Sequence, residues 1–213
     1  MSASAGRWLV LSAVFYAAWA GVLLVAGNPQ FGLSPGETAF THILTPIDYV
    51  GQVAVAASEI AAAIAAFLLA RAVGTRFGAG GGYVAAVGHA SGALQGIWHV
   101  FAAIVIGAEA ARIGWINSVL FDFETLALIL GWSVLGFALT RHARLGWPWA
   151  LGAALMWPLT LAAALSLASV TGSLAGGALA RTPLTAALGR RLSRGSLPDR
   201  AASTEGAPAT PTN

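Results

Sequence analysis

Residues 47–70 read IDYVGQVAVAASEIAAAIAAFLLA, and this stretch decides the fold class. It is apolar almost throughout, and it exceeds the roughly 20 apolar residues that an α-helix needs to cross the hydrocarbon core of a bilayer. Arg71 ends it, as basic residues commonly do at the edge of a membrane span. The stretch therefore predicts a transmembrane helix. It also carries Asp48, Gln52 and Glu59, which are rare inside such helices.

Further apolar stretches lie on both sides of this one, and each predicts another span. They cover residues 8–26, 83–108, 119–139 and 149–170. The glycine-rich residues 78–82 predict a flexible connection between the second and third spans. Residues 171–189 are apolar but weakly so, and they contain Arg181 and Pro183. They fit a sixth short span, a surface helix or a continuation of the fifth helix.

The fold class follows from this pattern. We expect an all-α, polytopic transmembrane helix bundle over residues 1–189, with five helices, or six if residues 171–189 also span. Residues 190–213 contain no aromatic residue and are rich in Arg, Ser, Pro, Thr and Ala, which predicts a disordered tail.

Composition excludes several classes of protein. Hydrophobic residues make up 57% of the chain and charged residues 9%, whereas a soluble domain carries about 25% charged residues. The absence of cysteine excludes disulfides and thiolate metal sites. No basic stripe with interleaved aromatics lies outside the apolar stretches, so we expect no nucleic-acid partner. The expected partners are the lipid bilayer and either another membrane protein or a second copy of the chain.

The positions of the arginines predict the orientation in the membrane. If the spans alternate in direction, one side carries Arg7, Arg71, Arg76, Arg141 and Arg144. Short cytoplasmic loops are enriched in basic residues, so we expect a cytoplasmic N-terminus in the cell membrane, taken here as a bacterial inner membrane. The arginine-rich tail would also be cytoplasmic with six spans, whereas hydropathy favours five, and the sequence leaves both open.

Polar side chains on one face of the second span mark a candidate site. Gln52 and Glu59 follow Asp48 by four and eleven residues, so the three share a helical face. Glu59 falls near the bilayer midplane, where a carboxylate costs about 2.5–3.5 kcal/mol on the insertion scale. Such a residue is either functional or a neutral, protonated carboxyl that bonds to a neighbouring helix. Burial favours the protonated form.

The third span carries two patterns. Residues spaced by four form a polar stripe of Ser91, Gln95 and His99. Small residues at the same spacing predict close contact with a neighbouring helix, at Gly88, Gly92 and Gly96. His89 lies between these positions, and we interpret it as a core histidine bonded across helices.

Depth along the helices suggests which polar residues meet. Counting about 1.5 Å per residue from the predicted span ends puts Gln95 level with Glu59 and His99 one turn shallower. We therefore expect Glu59 to bond to Gln95 or His99, in which case Glu59→Gln would leave folding nearly intact. An outward-facing polar cavity between helices 2, 3 and 4 would contain Asp48, Gln52, Glu59, Gln95, His99, Glu109, Asp122 and Glu124.

Three functions fit this constellation. The first is proton or small-solute handling through the polar cavity, and the alternative is a non-catalytic subunit or assembly factor of a membrane complex. A membrane-embedded, metal-dependent enzyme comes third, because the Glu-x-x-His and HExxH patterns are absent. His89 and His99 lie about 15 Å apart along one helix, which disfavours a haem held by both. We expect no cofactor, and we favour a protein that is not an enzyme.

Overall fold

The computed structural model describes residues 2–26, 46–101, 104–105, 114–140, 145–171 and 175–194. Within these ranges the chain forms six α-helices. They are α1 (Ser2–Ala26), α2 (Pro46–Ala72), α3 (Arg76–Phe101), α4 (Gly114–Leu139), α5 (Trp147–Thr171) and α6 (Ala175–Arg194). The predicted all-helical class is confirmed, and the number of helices agrees with the higher of the two expected counts.

Four of these helices contain segments long and apolar enough to cross a membrane. The segments are Ala3–Val22, Tyr49–Ala72, Val119–Leu139 and Trp147–Ser166. Large apolar side chains are exposed on the outer faces of α1 to α5, among them Val14, Val53, Leu94, Leu130 and Leu165. An apolar outer surface of this extent suits contact with lipid, because a water-soluble monomer rarely exposes such large apolar patches.

The helices form a closed ring in chain order. Each helix packs against its neighbours in the sequence, and α6 packs against α1. The N-terminal part of α1 lies beside the C-terminal part of α6, since a Cβ added to Gly6 would lie 2.5 Å from the carbonyl oxygen of Gly189. The two chain ends of the ring therefore lie on the same side, as alternating directions of six helices require.

Exposed arginines cluster at that side of the ring. The N-terminal part of α1, the turn between α2 and α3, and the C-terminal part of α6 carry Arg7, Arg71, Arg76, Arg190, Arg191 and Arg194, all exposed. We call this the arginine end. The opposite end includes the start of α4 at Gly114.

Helix α3 starts earlier than the sequence suggests. It begins at Arg76, seven residues before the predicted residue 83, so the glycine-rich residues 78–82 are helical rather than a flexible connection. Their glycines allow neighbouring helices to come close. A Cβ on Gly81 would lie 2.6 Å from Val134 Cγ1 of α4, and one on Gly82 would lie 2.6 Å from Ala70 Cβ of α2. Close packing here outweighs the low helix propensity of glycine.

Helix α6 resolves the ambiguous segment after the fifth span. It is a separate helix rather than a continuation of α5, and it extends to Arg194. Residues 190–194 are therefore not part of the predicted disordered tail, and residues 195–213 lie outside the described ranges. None of the four segments that could cross a membrane belongs to α6. Its place in the ring must therefore depend on contacts with other helices rather than on its own hydropathy.

Candidate functional site

All six helices contribute a side chain to one cluster inside the ring. The cluster consists of Tyr16 from α1, Glu59 from α2, His89 from α3, Trp132 from α4, Trp157 from α5 and Arg181 from α6. Glu59, His89 and Arg181 are each at most 2% exposed. We call these six residues the central cluster.

Glu59 binds a different helix with each carboxylate oxygen. Its Oε1 accepts a hydrogen bond from Arg181 Nη1 at 2.6 Å, and its Oε2 lies 2.5 Å from His89 Nδ1. Arginine stays protonated in proteins, and a buried guanidinium requires an opposite charge. Glu59 is therefore the carboxylate partner of Arg181. The neutral, protonated Glu59 expected from the sequence does not fit this geometry.

The hydrogen bonds of His89 define its tautomer. Trp132 Nε1 lies 2.9 Å from His89 Nε2, and an indole N–H can only donate. His89 Nε2 is therefore an acceptor without a proton. The neutral ring must then carry its proton on Nδ1, which donates to Glu59. Glu59 and Trp132 together hold His89 in one orientation and one protonation state.

Aromatic rings enclose the guanidinium of Arg181. Its carbon Cζ lies 4.0 Å from the centre of the Tyr16 ring and 4.3 Å from that of Trp157. A desolvated cation over an aromatic face contributes about 2 kcal/mol. Through this one side chain α6 is bound to α1, α2 and α5, which explains how a weakly apolar helix takes its place in the ring.

The turn between α2 and α3 sets the register that brings Glu59 to His89. Gly74 has a φ of 72°, a left-handed conformation that glycine adopts without strain. In an antiparallel pair, residues equally far from the turn face each other, and both Glu59 and His89 lie 15 residues from Gly74 (74 − 59 and 89 − 74). The count from the predicted span ends at residues 47 and 108 instead put Gln95 level with Glu59, which is six residues, or about 9 Å, beyond His89. That error pointed to Gln95 or His99 as the partner.

The other predicted cavity residues lie outside the central cluster. Gln95 and His99 are half-buried further along α3, and His99 Nδ1 donates to the Gln95 carbonyl oxygen at 3.0 Å. Gln52 lines a groove of about 480 Å³ between α2 and α3, whose other lining residues are apolar or glycine. Asp122 is exposed. The side chain of Asp48 and the whole of Glu109 lie outside the described residues.

Glu124 lies close enough to the central cluster to interact with its charged residues. It is half-buried, and it interacts electrostatically with Glu59 and Arg181. Its carboxylate rests against the backbone of Gly92, because a Cβ at Gly92 would lie only 2.4 Å from Glu124 Oε1. Gly92 therefore makes room for this carboxylate in the α3–α4 interface.

The glycines of α3 face two different helices. A Cβ on Gly88 would lie 3.0 Å from Ala127 Cβ of α4, whereas one on Gly96 would lie 3.1 Å from Ala56 Cβ of α2. Together with Gly92, they let α3 approach both of its neighbours closely, which is the use of small residues in membrane helix packing.

Sequence reasoning missed four members of the central cluster: Tyr16, Trp132, Trp157 and Arg181. For Arg181, the sequence did contain a signal of its place in the cluster. A lone arginine within an apolar segment needs a buried anion, and Glu59 is the midplane carboxylate available to it. The aromatic members had no such signal, since tryptophan and tyrosine are ordinary in membrane helices.

The central cluster contains two groups that can accept a proton, the Glu59 carboxylate and His89 Nε2. Among the described residues, no three or more His, Asp or Glu side chains group closely enough to bind a metal ion. The lone pairs of Glu59 and His89 instead point to Arg181 and Trp132. A proton can enter at Glu59, which releases Arg181, or at His89 Nε2, which breaks the bond from Trp132.

Trp132→Phe tests the bond that holds His89. It removes the indole N–H and leaves His89 Nε2 buried without a donor, which costs about 1–3 kcal/mol of unfolding free energy. Nitrogen NMR of labelled histidine should also show that His89 now populates both neutral tautomers. Trp157→Phe is the matched control, because Trp157 Nε1 has no hydrogen-bond partner in the described part of the chain. A histidine spectrum that Trp132→Phe leaves unchanged would contradict the assigned tautomer.

The chain matches no protein family, no curated protein and no solved structure.

Proposed function

We propose that this chain is a multi-pass protein of the cell membrane that takes up and releases protons at Glu59 and His89. One observation carries the proposal: Glu59 binds Arg181 with one oxygen and His89 with the other, inside a ring of helices. Titratable residues in membrane proteins face the bundle interior, pair with one another and mark proton relays and substrate pathways.

Energetics support a functional role for the ion pair. Removing two charges from water costs several kcal/mol per ion, and an apolar replacement of similar volume is often neutral or stabilising. If the contact between α2 and α6 only stabilised packing, apolar side chains would therefore make it equally stable. The ion pair adds something that an apolar pair lacks, which is a response of the Glu59 carboxylate to a proton.

Protonation of the cluster would move a helix. A proton on Glu59 cancels its charge and leaves Arg181 without a counter-ion, so the contact between α2 and α6 weakens. A proton on His89 Nε2 displaces the Trp132 N–H, so the contact between α3 and α4 weakens. Both routes couple one proton to a change between helices, as carriers of protons or small solutes require.

Orientation in the membrane follows from the arginine end. Its exposed arginines belong on the cytoplasmic side by the positive-inside rule, together with the N-terminal part of α1 and the C-terminal part of α6. Because the chain has no cysteine, Thr75→Cys gives a single labelling site in the turn at this end. We expect a membrane-impermeant thiol reagent to label it only after the cytoplasmic face is exposed. Ile47→Cys, at the start of α2, is the opposite control, and labelling of residue 75 from outside would reverse the orientation.

Proton movement can be measured directly in liposomes. The protein is reconstituted around a pH-sensitive dye, and a pH gradient is imposed with valinomycin and potassium to prevent charge build-up. The double variant Glu59→Gln, Arg181→Gln removes the titratable carboxylate and its counter-ion together, so the net charge of the cluster is kept. We expect it to move protons about 100-fold more slowly than the wild type, the lower limit for loss of a positioned proton-transfer group. Equal rates for the wild type, the double variant and empty liposomes would contradict the proposal.

A non-catalytic subunit or assembly factor is the second candidate. The observation that favours it is the complete pairing of the Glu59 carboxylate and the His89 ring in a cluster closed to solvent. A subunit of this kind would move no protons in liposomes, and it would purify with a partner from native membranes. Isolation as a single monodisperse species in mild detergent would count against it.

A further inference from the structure

We propose that Glu124 is the proton-exchange group between the central cluster and the end of the ring opposite the arginine end. The inference rests on the proposed function and names the side from which its proton arrives. It starts from the observation that Glu59, His89 and Arg181 are sealed from solvent, so a proton that reaches them needs an intermediate group.

The register of α3 and α4 places Glu124 next to the cluster. Going along α3, Gly81 faces Val134, Gly88 faces Ala127 and Gly92 faces Glu124. The facing residue number falls as the α3 number rises, so the two helices are antiparallel. His89 precedes Gly92 by three residues, and Glu124 therefore lies about 4.5 Å further along the axis, one helical turn from His89.

Glu124 also lies on the route to the aqueous end. Asp122, two residues earlier on α4, is exposed, whereas Glu124 is half-buried. Ser91 Oγ donates to the Leu120 carbonyl oxygen at 3.2 Å in the same interface, which adds a hydroxyl to this region. Glu124 is thus a partly exposed carboxyl group between the buried cluster and the start of α4.

The charged groups around Glu124 come from several helices. It interacts electrostatically with Glu59 of α2, Arg181 of α6 and Tyr16 of α1. His89 of α3 lies one turn away, and Asp122 is on its own helix. Helix α5 presents no Asp, Glu, His, Lys or Arg. The residues of the central cluster therefore determine the electrostatic field at Glu124, the group that would exchange protons with them.

The transfer is a simple exchange of one proton. Glu124 in its acid form loses the proton of its carboxyl O–H to the carboxylate of Glu59, whose bond to Arg181 is released. Glu124 becomes a carboxylate, and a water molecule from the end of the ring opposite the arginine end returns a proton to it. The carboxyl proton of Glu59 then exchanges with the Nδ1–H proton of the His89 ring, which is bonded to Glu59. The exchange involves no oxidant, no leaving group and no metal.

Exchange of the His89 ring proton with solvent tests this route without any need for transport. Protein labelled with 15N-histidine is transferred to deuterated buffer, and loss of the Nδ1–H signal of His89 is followed by NMR. Glu124→Gln should slow this loss by about 100-fold, since it removes a positioned proton-transfer group. Asp122→Asn, at an exposed site two residues away, should leave the rate close to that of the wild type. Glu124→Asp keeps the acid but shortens its reach, so it should give an intermediate rate.

Each outcome bears on the proposal. An unchanged exchange rate in Glu124→Gln overturns it. If that variant does not fold, Glu124→Asp decides, and a rate equal to that of the wild type overturns the proposal in the same way. Slow exchange in the variant supports the route through Glu124 even if the wild type moves no protons in liposomes. In that case the proposed transport function is wrong, whereas the assignment of Glu124 as the proton-exchange group is kept.

Discussion

Replacement of Glu59 by Gln is expected to destabilise the helix ring by about 3–5 kcal/mol, because it leaves the guanidinium of Arg181 buried without a counter-charge. A hydrogen bond to Gln95 or His99 alone would have made the same change nearly silent, since membrane hydrogen bonds average below 1 kcal/mol. Reversible unfolding in mixed detergent and SDS micelles, followed by far-UV circular dichroism, distinguishes these two magnitudes.

Arg181, the partner of Glu59 in the ion pair, provides the control. Arg181→Gln in the Glu59→Gln background removes the stranded charge, so the double variant should recover most of the lost stability. A double-mutant cycle should then show strong coupling between residues 59 and 181, which are 122 positions apart in the chain. Additive effects of the two substitutions would mean that the two side chains do not depend on each other.

Gly81→Leu is expected to cost about 1–3 kcal/mol or more, because it inserts a side chain into a filled interface. A Cβ at this position would already lie 2.6 Å from Val134 Cγ1 and 2.8 Å from the backbone nitrogen of Leu135. The backbone of α4 cannot yield as a flexible side chain does, so the two helices must separate. Thermal unfolding in detergent measures the loss.

Gly80 is a closely matched control for this effect. It is the preceding residue of the same helix, and a Cβ there would meet no atom within 4 Å. Gly80→Leu changes helix propensity as Gly81→Leu does, yet we expect it to leave the protein as stable as the wild type or slightly more stable. Equal losses from the two substitutions would show that the close approach of α3 and α4 at residue 81 is not important for stability.

Part of the candidate site could be predicted from the sequence. Glu59 stood out because a carboxyl within an apolar span needs a partner, and that partner was expected on the third span. The structure places it there, as His89. Interpreting His89 as a core histidine bonded across helices was also sound. Which third-span residue met Glu59 depended on where α3 begins, and a run of glycines hides that boundary.

Gly81 shows most clearly what a local sequence pattern does not predict. Judged locally, a run of glycines predicts a flexible connection, because glycine is a poor helix former and has no side chain to pack. The same residues form the first turns of α3 once α2 and α4 pack against them. The information that makes them helical lies in the neighbouring helices, and a local pattern does not contain it.

The sequence by itself determined that this chain forms apolar helices of membrane-spanning length, because length and hydropathy are properties of each segment alone. Only the tertiary structure decided that α6 completes the ring. That helix is weakly apolar, and its place depends on the bond between Glu59 and Arg181, on the Tyr16 and Trp157 rings, and on the approach of Gly189 to α1. Such contacts join residues from distant parts of the chain, so no segment specifies them, and the buried charge of Arg181 is stabilised only when all of them form together.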